Sequence, residues 1–163
     1  MQVIQGKVVG PADAQFSSPF SDHKLLGAQT GGAVFSQLGS LGPGTLIAPH
    51  THSREDEVTY VVEGELTIEL GEEISNAPAG SVVWRPRGQR HAIWNSTSQL
   101  ARFFEVVTPA ENFEAFTRDV TRSVATGKMR EQLLDIGRAH GIEFDMRHAG
   151  ELTGRFSLRP LGS

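Results

Sequence analysis

His50 and His52 stand two residues apart in the segment Gly44-Thr-Leu-Ile-Ala-Pro-His50-Thr-His52, and on a strand that spacing turns both imidazoles to one face, where they can reach one ion. Glu57 follows at an odd offset, which on an unbroken strand would aim it away. The polar stretch Ser53-Arg54-Glu55-Asp56 reads as a turn that restarts the chain and lets Glu57 face inward. Glu55 and Asp56 compete for the same role, but Glu57 is preferred because it opens an apolar strand. A third imidazole, His91, follows the turn Pro86-Arg87-Gly88, on the same face as Ile93 and Asn95. Three imidazoles and one carboxylate suit a first-row divalent ion. In an octahedron, four protein ligands leave two positions open for chemistry or ligand binding.

The spacing is regular. The first segment runs glycine (Gly44), five residues, His50-x-His52, four residues, Glu57, six residues, glycine (Gly64). The second runs Gly80, five residues, Pro86-x-Gly88, two residues, His91, three residues, Asn95, and fifteen residues separate the two. This pair resembles the two motifs of the cupin superfamily. The stretches GGAVFSQLGSLGPGT, HTHSREDEVTYVVEGEL and VVTPAENFEAF extend the similarity to single-domain bacterial cupins of the quercetin-dioxygenase-like group, over roughly residues 25–145. The resemblance implies an antiparallel jelly-roll barrel holding one metal ion, bound by His50, His52, Glu57 and His91, and a homodimer formed through the sheets and the N-terminal strand.

The elements that must position these residues are legible in outline. From about residue 30 to 107 turn signals recur at short intervals (Gly31-Gly32, Gly42-Pro43-Gly44, Gly64, Gly71, Pro78 with Gly80, Pro86 with Gly88), as in a sandwich or barrel. Leu66, Ile68 and Leu70 alternate with Glu65, Thr67 and Glu69, which predicts a strand with one wet face. The runs VTYVVEG, SVVW and FFEVV are apolar on both faces, so a helix or a second subunit is expected to cover part of the outer sheet surface. Thr108-Pro109-Ala110-Glu111 reads as a capping box with proline at the first helical position. Phe113, Phe116, Val120 and Val124 then form a core-facing stripe up to Gly127, and a second helix carries Met129, Leu133, Ile136 and His140. From Ile142 a short strand is expected, then no periodicity. The reading is an all-β antiparallel jelly-roll (cupin) barrel over 1–107, with its metal-binding core at 44–95, and C-terminal helices and tail over 108–163 packing on it.

Composition narrows the chemistry. The 163 residues include no cysteine, so any metal must take nitrogen or oxygen ligands. A net charge of -4 argues against nucleic acid or an anionic membrane as partner, and no stretch approaches the roughly 18 apolar residues of a membrane span. The expected location is the cytoplasm and the expected partner a small molecule. Arg85, Arg87 and Arg90, joined by Arg102, form either an anion-attracting cluster or, more simply, a solvated charged turn. His23, His140 and His148 are expected at the surface or at caps, and Asn95 in a structural role. Phe35, Tyr60, Trp84, Trp94, Phe103 and Phe104 are candidates for lining, with Tyr60 pointing away from the metal. One carboxylate and three neutral imidazoles leave a divalent ion (iron, nickel, manganese, zinc, cobalt or copper) with a charge of about +1, which favours an enolate, phenolate or carboxylate. The first expectation is a quercetinase-like dioxygenase in which O2 reacts with the bound enolate and Glu57 acts as base. The alternatives are a non-redox cyclase or isomerase of polyketide type, and a non-enzymatic binding shell.

Overall fold

A computed structural model describes residues 5–162; residues 1–4, at the start of the first expected unit, and Ser163 lie outside the described residues. Twelve strands form two facing sheets. In the first, β1 (Phe16–Ser17), β2 (Ser21–Leu25), β3 (Phe35–Leu41), β10 (Ala101–Thr108), β5 (Asp56–Glu63) and β8 (Val82–Arg85) lie side by side in that order. In the second the order is β11 (Ile142–Phe144), β4 (Thr45–His52), β9 (His91–Trp94), β6 (Glu65–Leu70) and β7 (Glu73–Pro78), with β12 (Arg159–Pro160) also on β4. The described strand pairs are antiparallel except β12 with β4. The helices α1 (Glu111–Ala125), α2 (Met129–Ala139) and α3 (Met146–Phe156) follow β10. Among the described residues no helix is long and apolar enough to cross a membrane.

The inner faces meet in a core of Leu41, Val61, Leu66, Ile68, Ile93 and Phe103, all buried. Two glycines are dictated by close approach. A Cβ on Gly39 would fall 2.5 Å from the ring of Phe103, its cross-strand partner, so the phenyl group takes the space a side chain would fill. Gly64 has φ of 74° and faces the Leu100 carbonyl at 2.6 Å from a built Cβ, which makes the β5–β6 turn glycine-specific.

Four local expectations change. Helix α1 starts at Glu111 without a capping box: Thr108 still belongs to β10, and its hydroxyl donates to the Ala33 carbonyl (2.8 Å) rather than to the helix. The wet face of β6 is dry, because His148 of α3 and Arg90 cover Glu69 and leave it buried together with Thr67. Beyond the expected strand β11 the chain forms α3, capped by Asp145, whose carboxylate accepts from the His148 amide at 2.9 Å. Its Leu152 packs on the outward residues Leu46, Ala92 and Trp94 of the second sheet, so the helical cover falls on the sheet opposite the runs VTYVVEG, SVVW and FFEVV for which the sequence predicts cover. On the first sheet Val58, Tyr60, Val62, Val82 and Trp84 stay exposed, and the chain's own helices do not cover them.

His23, expected at the surface, is the fourth change. It is fully buried between Phe16 and Phe35 with neither ring nitrogen hydrogen-bonded. Burial, with the charge of Arg118 nearby, lowers its pKa to about 4. The unfolded chain therefore binds a proton here between pH 6.5 and 4 that the folded chain refuses, and stability falls as pH drops through that window. The difference amounts to about 3 kcal/mol below pH 4. His23→Leu is expected to flatten this part of the stability–pH curve in urea titrations run from pH 7 to 4; an unchanged slope would disprove the assignment.

Candidate metal centre

The site forms where the chain passes from one sheet to the other. Strand β4 of the second sheet ends on His52, residues 53–55 turn, and β5 starts the neighbouring strand of the first sheet. Parity restarts at this crossing, which brings Glu57 round to face the two histidines. His91 arrives by pairing, since it lies directly opposite His50 on the adjoining strand β9. All four side chains are buried, and one donor atom from each lies within 4.8 Å of the others.

Each imidazole is oriented through Nδ1. His50 Nδ1 lies 2.8 Å from the Ala48 carbonyl, His91 Nδ1 3.1 Å from the Gln89 carbonyl, and His52 Nδ1 3.2 Å from a Glu55 carboxylate oxygen. Acceptors at Nδ1 select the tautomer that leaves Nε2 as a lone pair. Those Nε2 atoms converge: His50 and His91 stand 3.1 Å apart, His91 lies 3.0 Å from Glu57, and buried His52 Nε2 has no hydrogen-bond partner. Lone pairs that meet in this way repel unless a cation lies among them. The donor set thus fits a divalent ion held by His50, His52, Glu57 and His91.

Burial and the neighbouring His91 and His52 hold His50 well below the ordinary imidazole pKa, so it is neutral and able to ligate. Burial alone would lower His52 as well, but Glu57 and Glu55 outweigh it and raise its pKa. Glu57 is the reverse case. Burial would raise its carboxyl, yet Arg85 beside it, with His52 and His91, keeps it well below the usual carboxylate range.

Arg85 overturns the expectation of a surface cluster. It sits directly across from Glu57 in the β5–β8 pairing and points inward at 2% exposure. Its guanidinium forms an ion pair with Glu57 (2.8 Å) and donates to Thr59 (2.6 Å) and to Glu105, which also accepts from Gln37 at 2.5 Å. Arg87, by contrast, pairs with Asp56 in a solvated turn, Arg90 pairs with Glu69 and Asp145, and Arg102 faces outward. Asp56 is thereby occupied by Arg87, and Glu55 sits behind His52 rather than among the converging donors. Asn95 is structural as expected, since its amide donates to the Leu41 and Gln99 carbonyls and its oxygen accepts from Thr97.

A cavity of about 190 Å³ opens on His50, Glu57 and Arg85. Its walls are mostly apolar, and the phenyl rings of Phe103, Phe113, Phe116 and Phe144 contribute to them. Of the aromatic candidates in the sequence only Phe103 lines it. Phe35 and Trp94 are core, Phe104 is half-buried, and Tyr60 and Trp84 face outward. Phe144 was not singled out in the sequence; its signal was its place in β11, where it pairs with His50.

Residues 37–107 match the family model for the cupin domain, and the two sheets form the cupin double-stranded β-helix. Among curated proteins, the tetracenomycin polyketide synthase protein TcmJ of Streptomyces glaucescens is 31% identical over 91 residues, which are 55% of this chain and 61% of that protein. The match therefore spans less than two thirds of the relative. Among solved structures, one described as a predicted oxalate decarboxylase from Thermotoga maritima is 26% identical with a TM-score of 0.52, over 55% of this chain and 78% of that one. KdgF from Halomonas sp. shares the fold at TM-score 0.57 and 18% identity, over 68% of this chain and 99% of that one.

Proposed function

We propose that this chain, with its cupin domain and its His50, His52, Glu57, His91 cluster, is a metal-dependent enzyme acting on a small enolisable or phenolic molecule of polyketide type. The observation that carries this reading is the junction of two surfaces: a cavity walled by phenyl rings ends on a buried group of metal-type donors beside a buried guanidinium. Phenyl walls hold a flat, weakly polar ring system by area burial and edge-to-face contact. A divalent ion bound by the four donors supplies Lewis-acid stabilisation of a developing enolate or phenolate oxygen. Arg85, at the same end of the cavity, is matched by Glu57 and Glu105. It also holds one oxygen of Glu57 in place while the other faces His52, a geometry that keeps the carboxylate directed at the site for proton transfer.

The likeness to TcmJ supports a polyketide-type substrate and, with it, non-redox cyclisation or isomerisation. A dioxygenase reaction on the same substrate class is the second reading. Apolar walls admit O2, and an ion held by these four residues would keep room for a further ligand. The deciding experiment is turnover by the metal-loaded protein of a panel of flavonols and enolisable diketones, in air and under nitrogen, in an oxygen-electrode cell. Turnover under nitrogen supports the proposal, oxygen uptake assigns the dioxygenase, and binding without turnover makes the chain a ligand-binding shell. With a substrate that turns over, Glu57→Gln is expected to lower the rate by about a hundredfold or more beyond its loss of metal content. Equal losses of rate and metal would show that Glu57 only holds the ion.

A further inference from the structure

Two of the three histidines are oriented by backbone carbonyls two residues back on their own chain segment, Ala48 for His50 and Gln89 for His91. His52 is different. Its Nδ1 faces a side chain, Glu55, whose carboxylate is fully buried in the β4–β5 turn. A buried carboxylate is tolerated only when both oxygens are occupied. The second oxygen accepts from Asn112 Nδ2 at 2.6 Å, and Asn112 belongs to the first turn of α1. The same Nδ2 donates to the His140 carbonyl at the end of α2 (2.6 Å), and Asn112 Oδ1 accepts from Arg54 at 3.1 Å. One side chain thus ties the β4–β5 turn, α1 and α2 together behind a single imidazole. The next residue, Phe113, packs its ring on His52 from the same helix, with centroids 5.6 Å apart.

We propose that Glu55 and Asn112 are positioning residues for His52, so that the seating of the α1–α2 pair on the sheets sets how tightly the centre holds its ion. The proposal rests on the reading of His50, His52, Glu57 and His91 as a metal centre. Glu55 fixes the tautomer and azimuth of the His52 ring and, as a carboxylate behind it, makes Nε2 a stronger donor. Asn112 in turn fixes Glu55. Charge fits the same picture. Among the buried side chains of this group Glu55, Glu57 and Glu105 oppose the one guanidinium of Arg85, a formal charge of two negatives that one divalent ion would balance, while exposed Arg54 reaches the group only through Asn112.

The test is the affinity of the full-length protein for Co2+, measured by competition with a chromophoric chelator, together with the visible absorption of the bound cobalt. Glu55→Gln, nearly isosteric, and Asn112→Ala are each expected to weaken Co2+ by about 10- to 100-fold and to shift the cobalt bands, the first because the negative charge behind His52 is lost and an amide NH2 then meets the Asn112 donor, the second because Glu55 is no longer fixed. Wild-type affinity and an unchanged spectrum in Glu55→Gln would overturn the proposal while leaving the metal centre standing. Wild-type protein that binds no Co2+ would instead overturn the metal centre itself. If Asn112→Ala fails to fold by circular dichroism, Glu55→Gln alone decides, since it keeps an oxygen for His52 Nδ1 and changes no volume.

Discussion

Replacing His91 with alanine is expected to abolish retention of a divalent ion by the His50, His52, Glu57, His91 cluster in the purified protein. His91 faces His50 across the β4–β9 pairing, and its Nε2 lies 3.1 Å from His50 Nε2 and 3.0 Å from Glu57. Without it three donors remain, drawn from two neighbouring segments, and the opposite side of the cluster is open. Loss of a group that merely supports a ligand costs about 10- to 100-fold in metal affinity, so loss of a ligand is expected to exceed the upper end of that range. Elemental analysis after gel filtration, with chelator competition for the affinity, measures it. Full occupancy in His91→Ala would refute the assigned site. His91 is buried, so the variant's far-ultraviolet circular dichroism must match the wild type for the result to count.

Arg85→Leu is expected to be the most destabilising of the single changes considered. The guanidinium is the one cation in contact with both Glu57 and Glu105, and it is shielded from water. Removing one partner of such a buried group strands the others and costs about 3–5 kcal/mol. Glu105→Gln added to Arg85→Leu recovers part of that loss, because one of the two stranded carboxylates is then neutral. Saturating divalent ion recovers part as well, since it restores positive charge beside Glu57 and binds only the folded chain. Urea unfolding of the single and double variants, with and without ion, checks each step. A single variant as stable as the wild type would show that the network contributes nothing net.

The sequence disclosed the metal-type donors because their constraint is local. His50 and His52 share a strand, and the polar turn after them could be read as a restart of parity. Register between strands is not local, so nothing in the order of residues said that Arg85 would stand opposite Glu57 and turn inward while Arg87, two positions on, pairs with Asp56 in solvent. The arginines look alike in sequence and differ only in the sheet. Helix α3 does carry a local signal: Asp145 is an N-cap three residues before His148, and Ala149, Leu152 and Phe156 follow at helical spacing. Glu55 was weighed only as a rival ligand. Its partner Asn112 lies 57 residues away, so its supporting role appears only once α1 is seated. The dry face of β6 was illegible for the same reason, since Glu69 becomes a buried residue only when His148 arrives from α3.

The two halves of the chain divide the labour at the cavity. Four donors come from strands within residues 50–91, whereas Phe113, Phe116 and Phe144 reach the cavity from the segment beyond β10. Substitution at Phe116, Val120 or Leu133 is expected to reshape the chamber without touching a donor, whereas Phe113 packs on His52, Phe144 on His50, and Asn112 holds Glu55 behind His52. The C-terminal segment is thus a die that moulds the chamber, keyed to the donors at those three residues.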